Sequence, residues 1–339
     1  MDRHFEENII VLRNQNIMLA FNLGLVKPLP KALVTGGAGF IGSHLVDRLI
    51  NEGFEVRVLD NLSTGNLENI HAHLRNPHFH LFKGDIRKRR IVREAIKGAD
   101  YVFHLAALAN IELSMRKPKL VNEVNVTGTL NLLEESLNSN VEKFIFTSSC
   151  AVYGEPIYIP IDENHPTNPL SPYGVSKLAA EHYCRVFYEA YGLKTVILRL
   201  FNVYGPRQER SPYRGVIAEF LKRLKKGEAP IIFGGGEQTR DFIYVADVIE
   251  ALMLALKNKF CAGVTLNIGS GVETSIKEVA EKLIEIFGLK IKPVHLEARA
   301  GDIKRSCANI NRARETLGFR VGVSLEDGLK ICIKEYVGK

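Results

Sequence analysis

Between Lys31 and Asp60 the chain reads KALVTGGAGFIGSHLVDRLINEGFEVRVLD, an order of residues that few folds accept. Lys31–Thr35 is a short apolar run of the kind that forms a buried strand. Gly36, Gly39 and Gly42 follow at three-residue spacing, and Ile41, Leu45, Val46, Leu49 and Ile50 then recur at helical spacing. Val56, Val58 and Leu59 make a second strand that ends at Asp60. In such a strand–helix–strand unit the first glycines permit a tight turn and close approach to a pyrophosphate, and the last lets the helix pack on the sheet. The helix N-terminus adds free N–H groups and a positive partial charge. Asp60 can accept hydrogen bonds from both hydroxyls of an adenosine ribose and would repel a 2′-phosphate, so NAD is expected rather than NADP.

Strand and helix patterns alternate downstream. Phe79–Phe82, Tyr101–His104, Lys143–Thr147 and Thr195–Leu200 read as further strands, with long helices over Leu120–Leu137 and Tyr173–Tyr191. Ser171-Pro172 opens the second helix and Gly192 closes it. The alternation predicts an α/β fold, a doubly wound and mostly parallel sheet of the Rossmann type. Past Phe201 the elements shorten and Gly, Pro and Arg increase, which predicts a smaller C-terminal α/β domain that binds substrate. The expected division is an N-terminal extension (1–30), a nucleotide-binding domain (31–201, with a return segment at about 240–265) and a substrate domain from the remainder of 202–339. In the extension, Phe5, Ile9, Leu12 and Met18 could share one helix face before Pro28 and Pro30.

The 339 residues are 46% hydrophobic, ample for a large core. No apolar stretch approaches the roughly 18 residues that span a bilayer, and MDRHFEEN does not begin like a signal peptide. Cys150, Cys184, Cys261, Cys307 and Cys332 show no paired spacing, so reduced thiols and a cytoplasmic protein are expected. No metal-ligand spacing is present. The net charge of +7 is spread along the chain, apart from Arg87–Arg90 and Lys222–Lys226, which lie in helical patterns. Solvated helix faces and an anionic nucleotide ligand account for it better than nucleic acid does.

Tyr173 and Lys177 lie four apart at the head of one helix and so share a face. An ammonium beside a phenol favours the phenolate, and a cationic oxidised nicotinamide would add to this. Tyr173 could then take the proton of a substrate alcohol as hydride leaves to NAD. Ser149, at the end of the fifth strand, could hydrogen-bond the same oxygen.

With these features the chain resembles the extended short-chain dehydrogenase/reductase family, in its nucleotide-sugar branch. The resemblance runs from about Lys31 to the C-terminus. It rests on TGGAGFIG (Thr35–Gly42), DNLSTG (Asp60–Gly65), GDI (Gly84–Ile86), HLAA (His104–Ala107), NVTGT (Asn125–Thr129), TSSCAVYG (Thr147–Gly154), SPYGVSK (Ser171–Lys177), RLFNVYGPRQ (Arg199–Gln208), GEQTRDFIYV (Gly236–Val245) and RAGD (Arg299–Asp302). Within the branch it is most similar to UDP-hexose 4-epimerases. The resemblance implies NAD contacts, beyond the glycines, at Phe40, Ile41, Asp60, Asn61, Leu62, Ser63, Thr64, Gly65, Asp85, Ile86, Leu105, Ala106, Ala107, Asn125, Tyr173, Lys177 and Phe201. It implies UDP-sugar contacts at Ser149, Tyr173, Asn202, Val216, Arg240, Arg299 and Asp302. It also implies a homodimer paired through the helices at Leu120–Leu137 and Tyr173–Tyr191. Arg240 and Arg299 carry planar forks suited to a diphosphate.

Three departures bear on the reaction. Related 4,6-dehydratases carry Asp-Glu just after the residue matching Ser149, and related decarboxylases also place a Glu there, whereas this chain has Cys150 and Ala151. Ala109 and Leu200 stand where many of the epimerases have Lys and Tyr. Ser306 stands where some have a bulky Tyr, so space for an N-acetyl group is expected.

Overall fold

Residues alternate across each strand, and here both faces of the central sheet are apolar. In β1 (Lys31–Thr35), Ala32 and Val34 enter one hydrophobic cluster and Leu33 the other, all three fully buried. The same split holds in β2 (Glu55–Asp60), where Val56 and Val58 face one way and Leu59 the other. The computed structural model describes residues 28–211, 214–299 and 301–337, so the expected face of Phe5, Ile9, Leu12 and Met18 lies outside the described residues.

Five more strands complete this sheet: β3 (Phe79–Lys83), β4 (Tyr101–His104), β5 (Lys143–Ser149), β6 (Thr195–Leu200) and, after three short strands, Thr265–Ile268. The short strands are β7 (Asn202–Tyr204), β8 (Ile231–Phe233) and β9 (Thr239–Tyr244), which makes Thr265–Ile268 β10. The order is β10-β6-β5-β4-β1-β2-β3 and every pairing is parallel. The strand order reverses between β1 and β4, so their C-terminal ends splay apart into a crevice. In a second sheet β11 (Glu273–Ser275) pairs antiparallel with β9, which pairs parallel with β7. A third sheet joins β8 to β12 (Val294–Leu296).

The helices are α1 (Phe40–Asn51), α2 (Arg89–Ile96), α3 (Ile111–Arg116), α4 (Pro118–Asn122), α5 (Gly128–Asn138), α6 (Pro172–Tyr191), α7 (Val216–Leu224), α8 (Val245–Lys257), α9 (Ile276–Phe287), α10 (Asn311–Leu317) and α11 (Leu325–Val337). The single helix expected over Leu120–Leu137 runs from Pro118 to Asn138 but carries a π turn at Glu123–Thr127. Apolar periodicity does not register one wider turn, and such turns recur where side chains must be re-aimed. In α6 the Ser171 hydroxyl accepts from the Gly174 N–H and Pro172 takes the first position, while Gly192 closes the helix at φ 75°. The head of the helix, with Tyr173 and Lys177, is thereby fixed against the end of β5.

Candidate active site

The turn from β1 into α1 is cut to glycine. A Cβ on Gly42 would lie 2.2 Å from the Gly36 carbonyl oxygen. Gly36 has φ 70°, and a Cβ there would lie 2.8 Å from the Ala106 nitrogen. Gly39 caps α1 without a side-chain acceptor and no acid occupies the first turn, so the positive end of the helix faces outward. A cleft of about 380 Å³ opens there, at the crevice between β1 and β4.

Most residues expected to hold NAD line this cleft. Gly36, Gly39, Phe40, Ile41 and Gly42 form one wall; Asp60, Asn61, Ser63 and Thr64 form the end. Asp85 and Ile86 come from beyond β3, and Leu105, Ala106 and Ala107 form the floor. Asp60 accepts from the N–H groups of Ala38 (3.0 Å) and Leu62 (2.8 Å), one on each carboxylate oxygen. Burial pushes its carboxyl above the ordinary value, against those two donors. Each oxygen keeps a second lone pair, as recognition of two ribose hydroxyls requires. Leu62 itself is behind the carboxylate, at φ 59°, and Gly65 packs against the same oxygens, where a Cβ would lie 2.9 Å from both. Asp85 is held down to about 2, chiefly by the hydrogen-bonded Arg87 guanidinium, and Asn61 also donates to it. The cradle fits an anionic dinucleotide.

Like Leu62 and Gly65, the expected contacts Asn125, Tyr173, Lys177 and Phe201 are not part of the cleft lining. Both Asn125 amide N–H bonds are taken, by the Leu108 carbonyl (3.1 Å) and the Ser176 hydroxyl (2.9 Å), and its oxygen accepts from Leu108 N–H (2.8 Å). It shapes the wall from beneath. Phe201 is buried beyond β6, its N–H on the Ile268 carbonyl.

Tyr173 and Lys177 do project to one side, toward the end of β5, where Thr147 lines the cleft. Lys177 donates from Nζ to the Thr147 carbonyl at 2.8 Å and lies 4.7 Å from the centre of the Phe146 ring. The expectation that Lys177 lowers the Tyr173 phenol needs correction. Burial dominates and pushes the phenol up to about 12; the Ser149 hydrogen bond opposes it, and the Cys150 thiol adds to the rise. The ammonium is directed at a main-chain carbonyl instead of the phenol. Burial also brings Lys177 down to about 8.

The lowered amine has a consequence for stability. Its unperturbed pKa is 10.5, so between 10.5 and about 8 the folded chain binds fewer protons than the unfolded one. Stability from this group is therefore lost as pH falls across that window, and the loss is complete below it. Lys177→Met removes the term. Relative to the native chain, its stability is expected to rise by up to about 3 kcal/mol between pH 10.5 and 7.5, measured by urea unfolding of NAD-free protein.

Across the end of β5, Ser149, Cys150 and Tyr173 meet, with Arg240 and Asp241 close to the thiol. Burial pushes Cys150 up to about 11, so it is a neutral thiol at ordinary pH. Arg240 donates to the Ile303 carbonyl at 2.6 Å and to the Asp302 carboxylate, which joins two of the expected sugar-nucleotide residues. Arg299 stacks 3.7 Å from the centre of the Phe233 ring. Asn202, at the start of β7, has a buried side-chain oxygen without a hydrogen-bond partner, a group suited to a ligand donor. Val216 is the first residue of α7. Ser306 is 6% exposed, one residue before Cys307, whose carbonyl accepts from the Ile161 N–H.

Sequence reading gave no role to Thr35, Thr129, Thr147 or Ser176, all buried and polar around the cleft. Their only trace was their place inside or beside the quoted motifs. Among the described residues no group of three or more His, Cys, Asp or Glu could hold a metal ion, and no helix is long and apolar enough to cross a membrane.

Residues 32–269 match the NAD dependent epimerase/dehydratase family. A UDP-glucose 4-epimerase of Mycolicibacterium smegmatis is 38% identical over 311 residues, 91% of this chain and 99% of that one. The Thermotoga maritima UDP-glucose 4-epimerase, solved with UDP-glucose, is 41% identical with a TM-score of 0.85, covering 90% of this chain and 98% of that one. A UDP-N-acetylglucosamine 4-epimerase from Methanobrevibacter ruminantium M1, in complex with UDP-N-acetylmuramic acid, is 38% identical with a TM-score of 0.86, over 92% and 99%. The chain belongs to the NAD dependent epimerase/dehydratase family, as an enzyme of the epimerase type that uses NAD.

Proposed function

We propose that this protein inverts C4 of a UDP-hexose, interconverting UDP-glucose with UDP-galactose and UDP-N-acetylglucosamine with UDP-N-acetylgalactosamine. The observation that carries this reading is the meeting of the Tyr173 phenol and the Ser149 hydroxyl with a neutral Cys150 thiol. Elimination of water needs an acid at that place, and Cys150 and Ala151 supply none. Proton transfer and hydride transfer at C4 remain.

Tyr173 takes the proton of the C4 hydroxyl, and Ser149 hydrogen-bonds the same oxygen. Bound NAD would accept the C4 hydride and later give it back to the other face of the keto carbon, and while oxidised would supply a positive charge that favours the phenolate. Lys177, anchored on Thr147, holds its charge beneath the pair. The 4-keto sugar turns about its link to the diphosphate and presents its other face, and Tyr173 returns the proton. Arg240, braced by Asp302, and Arg299, braced on Phe233, are suited to grip the diphosphate during that turn. Asn202 and Val216 border the nucleotide. In this reading residues 31–201 and about 240–265 hold NAD, and the remainder of 202–339 holds the UDP-sugar.

A panel of UDP-hexoses followed by nuclear magnetic resonance tests the reaction. Conversion of UDP-galactose to UDP-glucose is expected; release of a 4-keto-6-deoxy sugar, or turnover of UDP-glucuronate alone, would overturn the reading. Ser306→Tyr is expected to lower activity on the N-acetylated pair by about tenfold relative to the plain pair, the scale of losing one well-filled pocket. An unchanged ratio would remove Ser306 from the sugar site.

The exposed apolar face of α6 supports a homodimer. Val175, Val186 and Tyr183 on α6 and Met115 on α3 are exposed, an apolar strip of the kind that marks an interface. Light scattering should give twice the chain mass, and Val186→Glu should shift it toward the monomer.

A further inference from the structure

Beneath the cleft two runs of hydrogen bonds, joined through Asn125, lead from its floor to the helix that carries Tyr173, and the donor in each link can be assigned. The Ala106 N–H donates to the Thr35 hydroxyl at 3.2 Å. The Thr129 hydroxyl donates its one proton to the Asn125 carbonyl at 2.6 Å. His104 Nε2, 2.8 Å from the Thr129 oxygen, must therefore be the donor there. That fixes the tautomer and leaves His104 Nδ1 as an acceptor, 2.8 Å from the Thr35 hydroxyl, which donates to it. Asn125 continues the path through its amide N–H to Ser176, whose hydroxyl donates to the Tyr173 carbonyl at 2.7 Å. Asn125 thus joins two hydrogen-bonded runs, its main-chain carbonyl accepting from Thr129 and its side-chain amide donating to Ser176.

His104 also opens a second branch. Its carbonyl accepts from the Thr147 hydroxyl at 3.1 Å, and the Thr147 carbonyl accepts from Lys177 Nζ at 2.8 Å. The ring path ends on the backbone of Tyr173 and the carbonyl path on the ammonium of Lys177. His104 is 1% exposed, and burial together with the nearby Lys177 charge keeps the imidazole neutral. The π turn at Glu123–Thr127 carries Asn125 into this path.

We propose that His104 is a positioning residue: the spine Thr35–His104–Thr129–Asn125–Ser176 fixes the Tyr173–Lys177 pair against the cofactor floor at Ala106 and Leu108. The proposal rests on the reading of Tyr173 and Lys177 as the reacting pair. None of the five spine residues lines the cleft; the spine sets the spacing between the elements that do. Small misplacements of reacting groups carry large rate penalties.

Thr129 is the place to test it, because valine keeps the shape and removes the hydroxyl while serine keeps the hydroxyl. Full-length native protein, Thr129→Val and Thr129→Ser are loaded with NAD and diluted, and NAD release is followed with time. Release from Thr129→Val is expected to be about tenfold faster, and kcat on the UDP-hexose about tenfold lower, the worth of one buried hydrogen bond, with KM little changed. Thr129→Ser is expected to restore both. Ser176→Ala should act alike, and the double variant should be no worse than the worse single one. Native release and turnover in Thr129→Val, a Thr129→Ser variant as impaired as Thr129→Val, or additive effects in the double variant would overturn the proposal. Should Thr129→Val not fold, Ser176→Ala decides the same question through NAD release and kcat. If native protein holds NAD yet inverts no UDP-hexose, the substrate reading fails, and the release rates still decide the spine.

Discussion

Tyr173→Phe is expected to lower C4 inversion roughly 10²- to 10⁴-fold, the usual worth of a positioned acid–base group, while bound NAD stays at its native level. The phenol is buried at the end of β5, and its oxygen meets Ser149. Phenylalanine keeps the ring and the packing and removes only the group that moves the proton. The surroundings hold the native phenol up to about 12. At neutral pH it is thus protonated despite the charge on Lys177, and an oxidised cofactor bound beside it would favour its ionisation. Two measurements check this: NAD content after gel filtration, and the rate of UDP-galactose conversion. Turnover within a few-fold of native in the phenylalanine variant would end the account of Tyr173 as base. Loss of NAD together with activity would instead give Tyr173 a binding role.

The second large effect concerns stability. Arg199 on β6 holds Glu181 on α6 from Nε to both carboxylate oxygens, at 2.9 and 3.2 Å, and from Nη2 to Oε2 at 2.7 Å, and both residues are buried. Glu181 also accepts from the Ser148 hydroxyl, and Arg199 Nη1 donates to the Tyr153 hydroxyl at 2.9 Å. Tyr153 in turn donates to Asn267 on β10 at 2.7 Å. Arg199→Met leaves the Glu181 carboxylate in the interior with its charge uncompensated, and such a break costs about 3–5 kcal/mol. Urea unfolding of native protein and variant measures it. Removing both charges, as Arg199→Met with Glu181→Leu, is expected to recover much of the loss, because an apolar pair of similar volume leaves no orphaned ion. If Arg199→Met alone lay within about 1 kcal/mol of native, below the range for a broken buried pair, the pair would carry little of the fold. Since α6 carries Tyr173 and Lys177 and β5 carries Ser149, the same clamp keeps the reacting groups in register.

Much of this molecule was readable along the chain because its causes are local. Apolar runs gave β1, β2 and β4 to β6, and glycine at Gly36, Gly39 and Gly42 gave the turn, where a side chain would strike the backbone of the same turn or of its neighbour. Asp60 was readable as the acid at the strand tip because its place depends on one strand–helix–strand unit. The helix over Pro172–Tyr191 announced itself through Ser171, Pro172 and Gly192. The resemblance then supplied the expected cofactor contacts, most of which line the cleft.

What the linear order withheld depends on residues far apart in it. Asn125 reads as a cofactor contact; folding also sets it against Leu108 and Ser176, 17 and 51 residues away, where both its amide N–H bonds find partners. Lys177 reads as the partner of Tyr173 because both share a helix face; the ammonium goes to Thr147, 30 residues distant, since β5 passes beneath. The sequence by itself therefore determined the sheet, the glycine turn and the use of NAD, and it named the Tyr–Lys–Ser group that the proposed reaction rests on. Only the tertiary structure decided the protonation of Tyr173 and the path through His104: burial and hydrogen-bond direction belong to a site assembled from several strands and helices, not to any one stretch of chain.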